Sequence, residues 1–291
     1  VYGALRLISR AEGPVGAADE TRWYYTSTGQ LEREERPDGS WTRYRRADGR
    51  LVATVEPLGD LSPGVSDTLC RVVSNEYATV DALDKNAVDW MTEPRTIATY
   101  EADVAVSRTY YAYYRTSGGE SVAIEERAAT PSAPYGSSSN LRTKRTFYAE
   151  DNTKPWSGEL HFAESTGGLL ESHVYEMGSF DATGPDPADW SFTPDPAGLF
   201  VRATADFGTT NAPGGIAFRT RREVSIRDAF DRPLLDETWI CTGDSSYTRV
   251  AWTATTRDAL GRATAVRRSD GTLAETTWSC CGPESETAAD G

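Results

Sequence analysis

The two histidines of the chain, His161 and His173, are the first candidates for proton transfer, because an unperturbed imidazole titrates near neutral pH. Each lies in a short stretch typical of a β-strand, at positions 159–162 and 172–175. A Gly-Gly pair at 167–168 separates the two stretches. This pattern predicts a β-hairpin in which the histidines are neighbours.

Such a hairpin could carry one specific reaction. With Tyr175 and a nearby arginine, His161 and His173 could abstract the proton beside a uronic-acid carboxylate, which is the chemistry of a polysaccharide lyase. The alternative is that both histidines are polar strand residues that face solvent or a cross-strand partner. In that case the chain has no catalytic residue.

Other reaction types leave no signature in this sequence. It contains no His-Glu-x-x-His pair, no Gly-x-Ser-x-Gly elbow and no phosphate-binding glycine loop. Glycosidases need two carboxylates, but among 44 acidic residues proximity in sequence selects no pair. The acids between positions 181 and 195 alternate with prolines, which favours turns over a calcium site. We therefore predict no cofactor and no metal site.

Aromatic residues on the predicted strands are a second group of candidates: Trp23, Tyr25, Trp41, Tyr111 and Tyr113. Neighbouring aromatic residues along a strand point to opposite faces of the sheet, so one face is expected to be core and the other to expose flat rings. Exposed rings could bind a glycan. Alternatively, rings on adjacent strands stack on each other for stability alone.

A short phrase returns along the chain and indicates the elements that hold these residues. It reads Arg-Asp-Ala-Leu-Gly-Arg at 257–262, Arg-Asp-Ala-Phe-Asp-Arg at 227–232 and Val-Asp-Ala-Leu-Asp-Lys at 80–85, with a shorter echo at 2–7. A repeated phrase predicts a repeated structural unit.

The spacing of turn residues supports such a unit. Gly29 and Gly49 lie twenty residues apart, as do the Asp-Gly pairs at 270–271 and 290–291. Stretches rich in Thr, Arg and aromatic residues, such as 41–44, lie between the turns and suit a pleated surface. We predict an all-β fold of antiparallel strand-turn-strand repeats, forming a sheet that curls or spirals as strand twist accumulates. Loops are predicted at 59–67, 128–140, 178–198 and 208–215.

Composition excludes several classes of protein. A net charge of −14 over 291 residues argues against a nucleic-acid partner, and no apolar run approaches the ~18 residues that span a membrane. The chain begins with Val1, inside one repeat phrase, and ends inside another, so we expect a segment of a longer array. Its four cysteines are too few for a disulfide-built scaffold. The adjacent Cys280 and Cys281 could be reduced turn residues, a vicinal disulfide or two metal ligands.

These repeats resemble the tyrosine-aspartate (YD) or rearrangement-hotspot (RHS) repeat family, whose unit runs Tyr-Asp-Ala-x-Gly-Arg-Leu and then Asp-x-Asp-Gly. Residues 25–39 fit one unit, residues 257–271 fit another, and residues 278–291 form a divergent third. In the best matches the family tyrosine is Val80, Arg227 or Arg257. The resemblance makes 1–291 a single repeat domain, with a diverged or inserted middle at about 86–223.

The resemblance implies a non-catalytic segment of a bacterial secreted or cell-surface protein. The segment would build the wall of an RHS-type β-shell that encloses or presents a C-terminal cargo such as a toxin. Its partners would be neighbouring repeats of the parent chain and the enclosed cargo. The alternative function is an extracellular module that binds or cleaves polysaccharide, with a glycan as partner.

One further motif bears on this function. Residues 195–199, Asp-Pro-Ala-Gly-Leu, resemble the boundary at which proteins of this family cut themselves before a variable toxin. Repeat units resume after it at 227 and 257, whereas the family boundary closes the array. The sequence therefore favours a proline turn at this position.

Overall fold

The chain folds into antiparallel β-strands joined by turns, loops and short 3-10 helices, which confirms the predicted all-β class. The computed structural model describes residues 6–12, 19–84, 93–184, 186–209, 218–243, 246–280 and 282–287. Within these ranges, no helix is long and apolar enough to cross a membrane.

Contacts within the chain define two compact units. The first comprises Val1–Ser117 and Ser121–Lys144, and the second comprises Gly118–Glu120 and Arg145–Gly291. The single-domain organisation expected for 1–291 stays a prediction. The described part of the middle, 93–209 and 218–223, forms strands of the same antiparallel kind as the flanking repeats.

Consecutive strands pair side by side in the first unit, each antiparallel to the one before it. The division between the units falls within the tenth strand. The strands are β1 (Arg6–Glu12), β2 (Asp19–Tyr25), β3 (Leu31–Glu35), β4 (Trp41–Ala47), β5 (Arg50–Pro57), β6 (Cys70–Glu76), β7 (Thr96–Glu101), β8 (Val104–Arg115), β9 (Ser121–Arg127) and β10 (Leu141–Phe147).

The second unit repeats this arrangement with one interruption, because two strands pair with successive parts of the same long strand. Its strands are β11 (Leu160–Ser165), β12 (Leu169–Asp181), β13 (Ser191–Pro194), β14 (Phe200–Thr209), β15 (Phe218–Arg227), β16 (Pro233–Gly243), β17 (Ser246–Arg257), β18 (Ala263–Arg268), β19 (Leu273–Trp278) and β20 (Pro283–Thr287). Strands β13 and β14 both pair with β12, and the remaining strands pair in chain order.

The predicted loop at 178–198 is partly wrong. Strand β12 continues to Asp181, and β13 returns along it with Phe180 opposite Phe192. The ring of Phe192 occupies the space in which a Cβ of Gly178 would lie, so this glycine permits the pairing. The predicted loop at 208–215 is also partly wrong, because β14 extends to Thr209. Residues 210–217 lie outside the described residues.

A long loop covers the first hydrophobic cluster, which consists of Trp41, Val55 and Cys70 on one face of the sheet. The indole Nε1 of Trp41 donates a hydrogen bond to the carbonyl oxygen of Leu61 at 2.6 Å. The Arg43 guanidinium donates to the carbonyl oxygen of Val65 at 2.9 Å. The loop thus supplies both apolar cover and hydrogen-bond acceptors to the strands beneath it.

The loop between β9 and β10 covers a second cluster, formed by Ala112, Val122 and Ile124. The buried carboxylate of Glu126 accepts hydrogen bonds from the backbone N–H of Gly136 and from the Asn140 amide, each at 2.6 Å. A charged group buried this deeply needs such donors to offset its desolvation. Glu126 therefore fixes the loop over the cluster.

The core of the second unit lies on three adjacent strands, where Ile226, Leu235 and Ala254 form one cross-strand row. Phe180 and Trp190 pack against this row, and their ring centroids lie 5.8 Å apart in an edge-to-face arrangement. Edge-to-face packing suits the charge distribution of aromatic rings. The segment from β12 to β14 thus covers this core.

We expect Trp41→Ala to lower the free energy of unfolding of the first unit by about 3–5 kcal/mol, as for other large-to-small changes in a packed core. Trp41 is 1% exposed. Trp23→Ala is the matched control, because Trp23 is only half-buried and should lose less than half as much. Denaturant titration of both variants checks this. Equal losses would contradict the burial of Trp41 beneath its loop.

Candidate functional site

The hairpin predicted around the histidines is present. Its turn is closed by the backbone N–H of Gly168, which donates to the carbonyl oxygen of Ser165 at 3.0 Å. In the register of β11 and β12, Phe162 lies opposite Ser172, so His161 and His173 occupy the next position along each strand. The alternating pattern and the Gly-Gly pair therefore identified this element correctly.

Each histidine has a carboxylate partner of its own. His161 Nδ1 lies 2.8 Å from Glu120 Oε1, and His173 Nε2 lies 2.7 Å from Glu171 Oε1. A hydrogen bond of this kind fixes the orientation and tautomer of an imidazole, and it also occurs where a histidine is catalytic. Both histidines thus have the local partners that the non-catalytic interpretation expects, and the rest of the cluster must separate the two interpretations.

Tyr148 joins the two histidines, and sequence reasoning missed it. Its ring stacks on His161 with centroids 4.3 Å apart, and its hydroxyl donates to the carbonyl oxygen of His173 at 3.0 Å. The edge of its ring also meets Tyr175, at 5.6 Å between centroids. The structure therefore does bring His161, His173 and Tyr175 into one cluster. No motif marked Tyr148, because it lies just beyond β10.

The electrostatics of this cluster do not suit proton abstraction by tyrosine. Burial, and after it the charge of Glu159, raises the pKa of Tyr175 to about 12, so its hydroxyl stays protonated at neutral pH. The neighbouring Arg227 is engaged, since it donates to Asp231 at 3.0 Å and to Ser225 at 3.3 Å. A lyase would need a deprotonated base and an available cation for the substrate carboxylate. The cluster is better suited to stabilise the fold or to bind a ligand than to catalyse proton abstraction.

The aromatic residues predicted to bind a glycan do not form one surface. Trp41 belongs to the core, so it is unavailable as an exposed ring. Trp23 and Tyr25 are half-buried on β2, whereas Tyr111 and Tyr113 are half-buried on β8, six strands further along the first unit. The Arg95 guanidinium lies 4.8 Å from the Tyr113 ring centroid. A shared glycan platform in the first unit is therefore not supported.

A groove of about 890 Å³ lies on one face of the second unit. His173 and Tyr175 line one side of it together with Trp156, which sequence reasoning did not select. The rings of Trp156 and Tyr175 are nearly parallel, at 15° and 6.2 Å between centroids. His161 is outside the groove lining.

The recurring phrase forms a turn whose geometry depends on its aspartate. In the turn between β15 and β16, Asp228 Oδ1 accepts the backbone N–H groups of Phe230 at 2.9 Å and Arg232 at 3.1 Å. Its Oδ2 accepts the Arg232 side-chain Nε at 2.7 Å. Asp231 adopts a positive φ of 60°, as a three-residue hairpin loop with a bulge requires.

The next copy of the phrase repeats this geometry. Asp258 Oδ1 accepts the backbone N–H groups of Leu260 and Arg262, both at 2.9 Å, and Oδ2 accepts Arg262 Nε at 2.7 Å. Gly261 takes the positive-φ position, at 79°. The repeated phrase therefore encodes one repeated turn, as the sequence predicted.

Ionised carboxylates are favoured in both turns. Burial opposes ionisation of Asp228 and Asp258, but hydrogen bonds from the side chain and backbone of the paired arginine outweigh it. The pKa of each carboxyl group is therefore lowered from its usual 3.8. Each aspartate is fully charged at neutral pH and is held by its arginine.

The third copy of the phrase departs from this geometry. Asp81 accepts the backbone N–H of Leu83 at 2.8 Å, but its second oxygen accepts the Tyr135 hydroxyl at 2.7 Å instead of an arginine. Asp84 is buried and pairs with Arg95 at 2.5 Å. The remainder of this copy, from Lys85, and most of the echo at 2–7 lie outside the described residues.

The cysteines form part of the strands and turns. Cys70 is a buried free thiol, and Cys241 is a half-buried free thiol. Cys280 lies in a turn in which the backbone N–H of Ser279 donates to the carbonyl oxygen of Gly282 at 2.9 Å. Cys281 lies outside the described residues, so the state of the pair is untested. In the part of the chain that the structure describes, no group of three or more His, Cys, Asp or Glu residues could hold a metal.

Residues 195–199 form a turn between β13 and β14. Asp195 Oδ1 accepts the backbone N–H of Ala197, and the Asp195 carbonyl oxygen accepts the N–H of Gly198, each at 2.9 Å. Gly198 packs against the backbone of Gly178, where a Cβ would overlap it. These contacts account for the Asp and the Gly as turn residues.

No protein-family model matches the sequence, and no curated protein matches it. Among solved structures, a chain of the Photorhabdus luminescens Tc holotoxin pore aligns with 97% of this chain at 13% identity and a TM-score of 0.31. A chain of the TcdB2-TccC3 crystal structure aligns with 97% at 12% identity and a TM-score of 0.30.

This chain spans 17% and 18% of the length of those two chains, respectively. With TM-scores this low, the fold assignment rests on the strand pairings of the chain itself.

We expect Asp228→Asn to lower stability at neutral pH, by about 1–2 kcal/mol, because the Arg232 bonds then have no ionised acceptor. A lowered folded-state pKa contributes stability above the unfolded-state value, and this contribution is lost as the pH falls through the folded-state pKa. The difference between wild type and variant should therefore shrink below about pH 4. Urea titrations from pH 7 to pH 3 measure it.

Arg232→Gln is the matched variant for this pH series, since it removes the other half of the same pair. Its stability loss should shrink over the same acid range. A loss that stays constant with pH in both variants would show that the charge of Asp228 does not stabilise the turn.

Proposed function

We propose that the chain is a non-catalytic wall segment of a secreted or cell-surface RHS/YD-repeat protein, which encloses or presents a C-terminal cargo such as a toxin. The proposal draws on the repeat phrase, on the hairpin order and on bonds that run from each hairpin to the next. It assigns the neighbouring repeats as partners of this segment.

The bonds between successive turns are the observation that carries the proposal. The Arg232 guanidinium, held by Asp228, occupies the space beside Gly261 in which a Cβ would lie. In the same way Arg262, held by Asp258, donates from Nη1 to the carbonyl oxygen of Ser279 in the following turn at 3.0 Å. Both of these turns are therefore completed by a contact with the turn that follows.

A return contact reinforces the link. Arg257, which stands where the family has tyrosine, donates to the carbonyl oxygen of Pro233 in the preceding hairpin at 3.1 Å. Repeat units that contact only their neighbours build an extended wall in which stability propagates from unit to unit. Pairing every hairpin with the next also leaves fewer strand edges open to aggregation.

The histidine cluster and the covered cores favour a wall segment over an enzyme. Tyr175 is a protonated hydroxyl at neutral pH, and Arg227 is engaged by Asp231 at 3.0 Å. In the first unit the long loops at 58–69 and 128–140 bind the sheet that they cover. They serve as cover for thin cores rather than as free binding loops.

We expect Gly261→Ala to destabilise the second unit more than Gly271→Ala. Both glycines have positive φ, so each alanine costs about 1 kcal/mol in backbone strain. A Cβ on Gly271 meets nothing within 4 Å, whereas one on Gly261 would displace Arg232. We expect about twice the loss for Gly261→Ala, measured by denaturant unfolding.

A double-mutant cycle tests the cause of the difference. In an Arg232→Ala background, Gly261→Ala should cost no more than Gly271→Ala does. If the extra cost of Gly261→Ala persists without the arginine, neighbouring turns are not coupled through it.

Enclosure is tested in the longer protein that contains this segment. We expect an added protease to cut the region C-terminal to the segment many-fold more slowly than it cuts that same region expressed alone, because a wall limits access. Fragment sizes over time give the two rates. Equal cleavage rates would contradict enclosure and would leave only the alternative that the segment presents its cargo.

A further inference from the structure

The groove of about 890 Å³ crosses five adjacent strands on the face opposite the core row of the second unit. Two cross-strand rows form its floor, and their residues follow directly from the strand register. One row is His173, Ala205, Glu223, Thr238 and Ala251, and the other is Tyr175, Ala203, Ser225, Asp236 and Thr253. Five strands at ~4.8 Å spacing give a length of roughly 19 Å.

The side chains of the two rows form a shallow channel that has a low floor and a wall of aromatic rings. Alanines at 203, 205 and 251 keep the floor low between larger neighbours. Trp156 and Tyr175 provide an aromatic wall, and Phe230, which is 78% exposed, stands at the rim. Pockets of this volume that combine aromatic walls with a few fixed polar groups are typical ligand sites.

Three carboxylates of the groove are paired with arginines, which bears on the charge of a ligand. Asp228 bonds Arg232 at 2.6 Å, Asp231 bonds Arg227 at 3.0 Å and Glu223 bonds Arg221 at 3.3 Å. Asp236 accepts the Ser225 hydroxyl at 2.6 Å. The arginines compensate the charge of the first three carboxylates, whereas Asp236 is held by a hydroxyl and leaves negative charge on the groove floor.

We propose that this groove binds a neutral oligosaccharide. The C–H groups on a sugar face carry a small positive charge and pack on the negative face of an aromatic ring, which Trp156 and Tyr175 supply. Sugar hydroxyls can donate to Asp236 and exchange hydrogen bonds with Ser225, Thr238 and Thr253. Carboxylates along the floor repel a polyanion, so acidic polysaccharides are excluded.

This binding function goes beyond the wall role and does not depend on it. A wall segment that carries the groove on one sheet face would bind glycan without cleaving it. The aromatic residues responsible are in the second unit, not at the positions in the first unit that the sequence suggested.

Binding is tested with the purified chain and three hexamers: cellohexaose as the neutral probe, hexagalacturonate as the acidic one and hexalysine as the cationic one. Calorimetry gives the affinities, and chromatography of the same mixtures detects shorter products. We expect binding of cellohexaose alone, with no products. We expect Trp156→Ala to weaken it about tenfold, the loss of one aromatic contact.

Trp239→Ala is the matched control, because Trp239 lines a separate cavity of about 470 Å³ and should leave the affinity unchanged. Asp236→Asn, on the groove floor, should also weaken the binding of cellohexaose. It replaces Trp156→Ala as the test if that variant fails to fold. Circular dichroism reports folding of each variant.

Each contrary outcome has one meaning. Absence of cellohexaose binding, or equal loss in the Trp156 and Trp239 variants, overturns the groove proposal and leaves the wall proposal intact. Binding of hexalysine alone would make the groove a site for a basic peptide. Release of shorter products would instead overturn the non-catalytic function.

Discussion

The double use of one turn carboxylate is the interaction on which the second unit most depends. Asp228 and Asp258 each accept two backbone N–H groups with one oxygen and an arginine with the other. The first oxygen closes the turn, and the second directs the arginine toward the neighbouring hairpin. Because one side chain does both, turn formation and hairpin stacking are coupled in these two copies of the phrase.

This coupling matters because the sheet has little core to rely on. The described buried clusters contain three residues each, and loops or partly buried rings complete them. Paired arginines add ties across the sheet surface, such as the two bonds of Arg222 to Asp206 at 2.7 and 2.9 Å. A planar guanidinium can make two such bonds and still cover an aromatic ring, as Arg222 does over Tyr247. Only three of the 30 Lys and Arg residues are lysines, and this preference for arginine thus has a structural use.

Local features of the fold could be predicted from the sequence, and features that depend on distant residues could not. The phrase at 257–262 and the Gly-Gly pair at 167–168 fix their turns through bonds within a few residues, so pattern was enough. The burial of Trp41 depends on a loop twenty residues away, and the stacking of Tyr148 on His161 depends on a strand pairing. Alternation along a strand shows which aromatic residues share a face of the sheet, but not which segment of the chain covers that face.

The difference between two copies of the phrase is explained by one compensation. In the copy at 227–232, Asp231 stands at positive φ where the copy at 257–262 has Gly261, and an aspartate is tolerated there but strained. Arg227, four residues earlier, pairs with Asp231 at 3.0 Å. In the copy that keeps glycine, Arg257 instead donates to the carbonyl oxygen of Gly261 at 3.1 Å. In both copies the arginine at the first position of the phrase bonds the residue at the fifth position. An aspartate can therefore replace glycine at the fifth position without loss of the turn.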